Sequence, residues 1–174
     1  MQLPALPGLG DWLTTMIRRP ATSTATEVAP IMNLTHAILA DAAQASPDGK
    51  YHLIGGGISI WWANEVPATI RLALVLGFEY SAVEAGRERQ IEVELTNEDG
   101  GGDGLPKITT VVPLPDRRPE MPFGAPLMAN GIINYITDLP AYGTYAFQIL
   151  LDGNHVGTAP LVIARPPQAL AQAS

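Results

Sequence analysis

The sequence has no cysteine, which removes disulfides and thiolate metal sites and leaves the fold to rest on its core. Positive charge is scarce as well: 10 Lys and Arg stand against 17 Asp and Glu, for a formal net charge of -7. Sequence-independent nucleic-acid binding draws its affinity from cations on phosphates, so this balance argues against it. The one adjacent cationic pair in the body, Arg117-Arg118, falls in a proline-rich stretch and reads as a solvated turn. No segment approaches the ~18 continuous apolar residues of a membrane-spanning helix. An early basic group followed by an apolar run is also missing, so no secretory signal is expected. These absences leave a cytoplasmic or particle-associated protein, with neither nucleic acid nor membrane as partner, as the expectation.

What is present points to a folded β protein. The chain has 174 residues, of which 47% are hydrophobic and 16% charged. That length accommodates one domain with a real core, and the composition excludes a disordered chain. The 17 Gly and 16 Pro are dispersed without a period, as turn punctuation is.

The first part of the chain differs from the rest. Residues 1–10 are rich in Pro, Leu and Gly, and Asp11 to Pro20 then carries a short helix signal. Asp11 is a capping residue, Arg18-Arg19 suit the negative end of a helix dipole, and Pro20 stops the run. Trp12, Leu13, Met16 and Ile17 share one face of such a helix. A helix this short is marginal in water and needs something to dock against. The small, polar segment 21–30 reads as a linker. Residues 1–32 are therefore expected to form an arm, with an extension preceding a start at Met32 as the plainer alternative.

From Asn33 the period becomes two, and residues 33–164 read as one domain. "LTHAILADAA" suggests a strand ended by the Pro47-Asp48-Gly49 turn. "YHLIGGGISIWWA" suggests a second, bent at Gly55–Gly57. Residues 69–81 alternate most clearly, with Ile70, Leu72, Leu74, Leu76, Phe78 and Tyr80 on one face. Ile91, Val93 and Leu95 alternate with Glu92 and Glu94, and Ile108, Thr110 and Val112 begin a return strand. Residues 113–126 carry five prolines and read as an extended crossing loop. Strands at 131–137, 143–151 and 155–163 close the domain, the last two joined by an Asp152-Gly153 turn. A flexible tail follows at 165–174.

Seven or eight such strands predict an all-β, two-sheet antiparallel sandwich of immunoglobulin-like, Greek-key type. A curved barrel is the alternative. The expected core comprises Ile54, Ile60, Leu72, Leu74, Leu76, Phe78, Ile91, Val93, Leu95, Tyr145, Phe147, Ile149 and Leu161.

Two stretches together carry a resemblance. "LTHAILADAAQASPDGKYHLIGGGIS" and "PAYGTYAFQILLDGNHVGTAPLVI" resemble an uncharacterised bacterial family, the domain of unknown function DUF6941. The matching features are the opening alternating strand, the Asp-Ala-Ala-Gln step at Asp41–Gln44 and the Pro-Asp-Gly-Lys turn at Pro47–Lys50. The resemblance covers about Met32 to Ile163. It implies a sandwich fold and no particular activity.

Catalytic signals are weak. His36 and His52 lie on strands that a hairpin can bring together, with Asp41 or Asp48 nearby, yet no Gly-x-Ser-x-Gly elbow or glycine-flanked nucleophile accompanies them. Ordinary hydrogen-bonded histidines are the better reading, and the expectation is a non-enzyme. Gly55–Gly57 lacks the Gly-x-Gly-x-x-Gly spacing and following helix of a nucleotide site. Glu98, Asp99 and Asp103 share one glycine-rich loop, the chemistry Ca2+ favours, although their spacing is not that of an EF-hand. No cofactor is implied beyond that Ca2+ candidate.

Trp61-Trp62 is the most informative pair, because successive strand residues point to opposite faces. Parity with Ile58 and Ile60 places Trp62 in the core and turns Trp61 outward, as protein- or sugar-binding faces use tryptophan. An outward Trp61 and an orphan apolar helix suggest a protein interface formed by Trp12, Leu13, Met16, Ile17 and Trp61. The expectation is thus an interaction or structural module, engaging a protein partner or assembling as a homo-oligomer through its arm. A carbohydrate- or Ca2+-dependent ligand-binding domain is the alternative.

Overall fold

The structure is a computed structural model and describes residues 32–47, 49–98, 104–122 and 124–167. Among these residues every regular element is a strand, and no helix is long and apolar enough to cross a membrane. The strands are β1 (Met32–Ala40), β2 (Ala42–Ala45), β3 (Tyr51–Ile54), β4 (Ile60–Trp62), β5 (Ala68–Tyr80), β6 (Glu88–Asn97), β7 (Lys107–Pro113), β8 (Leu127–Leu139), β9 (Gly143–Leu151) and β10 (Asn154–Ala164). They form a three-stranded sheet ordered β1-β5-β8, a five-stranded sheet ordered β4-β10-β9-β6-β7, and a hairpin of β2 with β3. The protein is all-β, with several sheets.

One apolar cluster joins the two larger sheets. The alternating row Ile70, Leu72, Leu74, Leu76 and Phe78 on β5 packs with Ile91, Val93 and Leu95 of β6 and with Tyr145, Phe147 and Ile149 of β9. Contact between the sheets is direct at Tyr135 on β8, whose ring meets Phe147 edge-on, with centroids 4.9 Å apart. Fully burying each such side chain contributes about 1.5–3 kcal/mol, so period-two patterning in sequence becomes cohesion between sheets.

Strand β5 is buried on its second face too, at Ala73 and Val75. The β2–β3 hairpin lies against that face and reaches β8. Asn130 Nδ2 on β8 donates to the Gly49 carbonyl at the hairpin turn (3.0 Å), and the Tyr51 hydroxyl meets His36 Nε2 (2.7 Å). The His36 ring occupies the space a Cβ at Gly77 would take. Glycine here makes room for an imidazole that ties the hairpin to the sheet.

Several boundaries differ from the sequence reading. Residues 34–43 do not form one strand: Asp41 is a bend between β1, paired with β5, and β2, paired with β3. The glycine stretch separates β3 from β4, with Gly55 and Gly57 at positive φ. The alternation cannot be carried across that break, so Ile54 and Ile60 are 67% and 43% exposed instead of lying in the core. The other expected core residues are all buried. The β9–β10 turn is as expected, with Asp152 and Gly153 both at positive φ, which type I′ hairpins require.

Gly77→Ala pushes a methyl into the His36 ring and is expected to cost about 1–3 kcal/mol. In a double-mutant cycle followed by urea unfolding, Gly77→Ala and His36→Ala together should cost less than the sum of each alone. Burial raises the phenol of Tyr135 above its ordinary value of 10.0, and burial, then Asp116, does the same for Tyr80. A raised folded-state pKa contributes stability that is whole below pH 10 and lost as pH climbs past it. Thermal melting temperature should therefore fall beyond about pH 10, and the fall should be shallower in Tyr135→Phe.

Candidate functional site

The inward-facing rows of the two sheets are sealed along most of their length and open along one side. On β7, Ile108, Thr110 and Val112 are partners of, or share a face with, the inward residues of β6, yet all three are only half-buried. On β8, Gly131 and Ile133 lie opposite the buried Leu76 and Leu74 and are likewise half-buried. Between these rows runs an open groove of about 470 Å³, floored by Leu76 and Ile91. A Cβ at Gly131 would meet nothing within 4 Å. The groove is deep at this level because glycine leaves the inner row one side chain short.

Both walls are sheet edges. Strand β7 ends the five-stranded order and β8 ends the three-stranded one, so each pairs with a single neighbour among the described residues. Such an edge presents unpaired backbone N–H and C=O groups, a template for a further chain. The outward face of β6 and β7 is largely polar by contrast. Lys107 Nζ lies 2.7 Å from Glu92 Oε2 and also bonds Glu94. The hydrogen bond from Lys107, with one from Gln90, holds the Glu92 carboxyl below its ordinary range. The large apolar side chains of the strand pair thus face mainly the groove, with Val111 the exposed exception on the outward row.

The tryptophan assignment is reversed by the structure. Strand β4 runs parallel to β10, with Trp61 opposite Ile163 and Trp62 opposite Ala164. Ile163 is buried in the core, and its partner shares its face, so Trp61 turns inward and packs on the core. Trp62 is the outward residue, 46% exposed. Register with β10 sets this parity, and counting from Ile58 and Ile60 missed it because those residues adjoin the glycine break.

Other singled-out residues are not gathered into one site. Trp12, Leu13, Met16 and Ile17 lie outside the described residues, as do Asp48, Asp99 and Asp103. Glu98 is exposed, and its backbone N–H donates to the Thr144 carbonyl (3.0 Å). His36 has both ring nitrogens engaged, Nε2 with Tyr51 and Nδ1 with Thr35 (3.1 Å), which suits the tie between hairpin and sheet. His52 is exposed on the hairpin. His155 Nε2 meets Gln148 Oε1 at 2.9 Å and Thr158 Oγ1 at 3.1 Å on the β9–β10 surface.

One charged group went unnoticed in the sequence. Glu84, in the β5–β6 connection, is fully buried. Its carboxylate accepts from Arg87 Nη1 (3.1 Å) and from Arg89, which also reaches Asp152 in the β9–β10 turn (2.7 Å). The hydrogen bond to Glu84 raises Arg89 above its ordinary value against the opposing effect of burial, and Asp152 adds to it. The network joins two loops at one end of the sheets. The pairs of Glu84 with Arg87 and Arg89 are local, but the link from Arg89 on to Asp152 is long-range and nothing in local composition marks it.

These features define an all-β protein with an open groove between sheet edges. The chain belongs to a family of unknown function, DUF6941, whose model matches residues 35–164. No curated protein matches it. Among solved structures it is similar to the Pseudomonas fluorescens alkylpurine DNA glycosylase AlkC bound to DNA containing an abasic site analog, at 13% identity and a TM-score of 0.38. That likeness covers 78% of this chain and 31% of the other, so the chain spans about a third of that protein. So loose a likeness carries no argument about this one.

Removing one partner of a buried ion pair leaves the other charge uncompensated. Glu84→Ala is expected to cost about 3 kcal/mol in chemical denaturation, the lower end for such pairs, because Arg89 keeps Asp152 and remains 25% exposed.

Proposed function

We propose that this chain is a non-enzymatic interaction or structural module of immunoglobulin-like β-sandwich form. Its N-terminal arm engages a partner or a neighbouring subunit, and the groove between β7 and β8 is the binding face of its body. Two features support the sandwich reading. The order β1-β5-β8 opposite β4-β10-β9-β6-β7 is consistent with a Greek key whose consecutive strands cross between two sheets. The Tyr145 hydroxyl, near the start of β9, donates to the Ala141 carbonyl (2.9 Å) and accepts from the Ala141 N–H (3.3 Å). A tyrosine bonded to backbone a few residues upstream, at the corner where the chain changes sheet, is a hallmark of immunoglobulin-like domains.

The observation that carries the binding role is the half-exposed inner row between two free sheet edges. Exposed apolar side chains favour burial against an apolar partner, and the edges offer backbone hydrogen bonds to an extended one. A photo-cross-linking amino acid at Thr110, inside the groove, tests this in the full chain. It is expected to yield an adduct with a polypeptide segment, while the same group at the outward Thr109 yields none. Absence of any adduct from position 110 overturns the groove as a binding face.

A further inference from the structure

We propose that the groove between β7 and β8 receives Trp12, Leu13, Met16 and Ile17 from the arm of a second copy of this chain. The inference rests on the groove being a binding face and names its occupant. A hollow of about 470 Å³ has room for on the order of fifteen waters at ~30 Å³ each. Its lining has no charged residue, and its polar residues are Thr110 and Asn134. Water against such walls is readily displaced by apolar side chains. The sequence carries a matching group of four large apolar residues within 12–17, upstream of the first described strand.

Reach and direction select the source. Residues 18–31 lie between that group and Met32, and at ~3.3–3.6 Å per residue they extend to about 50 Å. That length suffices to cross to a neighbouring molecule. The chain leaves the body at Met32, which lies opposite Tyr80, itself opposite Leu127 at the start of β8. This end is closed. The Tyr80 hydroxyl donates to the Pro115 carbonyl (2.7 Å), and Leu114 is buried and bonded to both Gly86 and Arg87. The connection from β7 to β8 therefore crosses the groove at the end where the arm departs. A segment returning on its own body has first to pass around that closed end, whereas one from a second copy approaches the open side directly.

The test measures solution mass of full-length chains by light scattering. The parent chain is expected to assemble beyond a monomer. Gly131→Trp fills the groove and keeps the arm; Trp12→Asp combined with Met16→Asp disables the arm and keeps the groove. Each variant alone is expected to be monomeric. Mixed in equal amounts they are expected to pair, doubling the mass, because one intact arm and one open groove remain. A monomeric parent, variants that assemble as the parent does, or a mixture that stays monomeric overturns the proposal. Mapping the Thr110 adduct separates the two levels. An adduct with a different polypeptide, or with the arm of the same molecule, leaves the groove as a binding face and overturns the second copy as donor. No adduct at all overturns both.

Discussion

The rest of the structure depends on burying β5 from both sides. Its inner row supplies the centre of the cluster that joins the three- and five-stranded sheets. Its outer row, at Ala73 and Val75, is covered by the β2–β3 hairpin. A strand apolar on both faces has no stable place at the edge of a sheet or on a surface exposed to water. It has to lie in the middle of a sheet with cover on each side, and β1 and β8 flank it accordingly. The small residues Ala73 and Gly77 let the hairpin approach closely, and His36 uses that proximity to reach Tyr51.

With β5 central, β8 becomes an edge, and the groove follows from that placement. The inward row of β8 continues the pattern of its partner, yet beyond β8 no strand covers the flank among the described residues. Facing it, β7 is in the same position on the other sheet. Gly131 and Thr110 are small where Leu76 and Ile91 form a floor between them. Cohesion of the core and the opening at its side are thus two outcomes of one strand order. At the neighbouring end, Glu84 and its arginines close the loops, so the opening lies along the side.

Legibility in the sequence varied with the range over which the determining contact acts. Alternation within β5, β6 and β9 needs no partner to be read, and the core residues expected there are buried. The Asp152-Gly153 turn was likewise local. Trp61 and Trp62 were not, because their orientation is set by pairing with Ile163 and Ala164 at the far end of the chain. Ile54 and Ile60 failed for a related reason: a glycine break resets the parity. The groove was invisible in sequence because it arises from which strands end their sheets, and the burial of Glu84 because its network runs through Arg89 to Asp152 in another loop. Family membership was readable from residues that spell turns and strands, Pro47–Lys50 and Gly143–Leu151 among them.

The central claim is that the exposed inner row at β7 and β8 is covered by another polypeptide segment. Hydrogen exchange at the backbone amides of Gly131 to Asn134 that do not bond to β5 reads this most directly in the full-length protein. An occupied groove predicts protection of those amides, lost when Gly131→Trp fills the hollow and displaces the occupant. Exchange as fast as at an open sheet edge in the parent chain, unchanged by that substitution, would contradict the account.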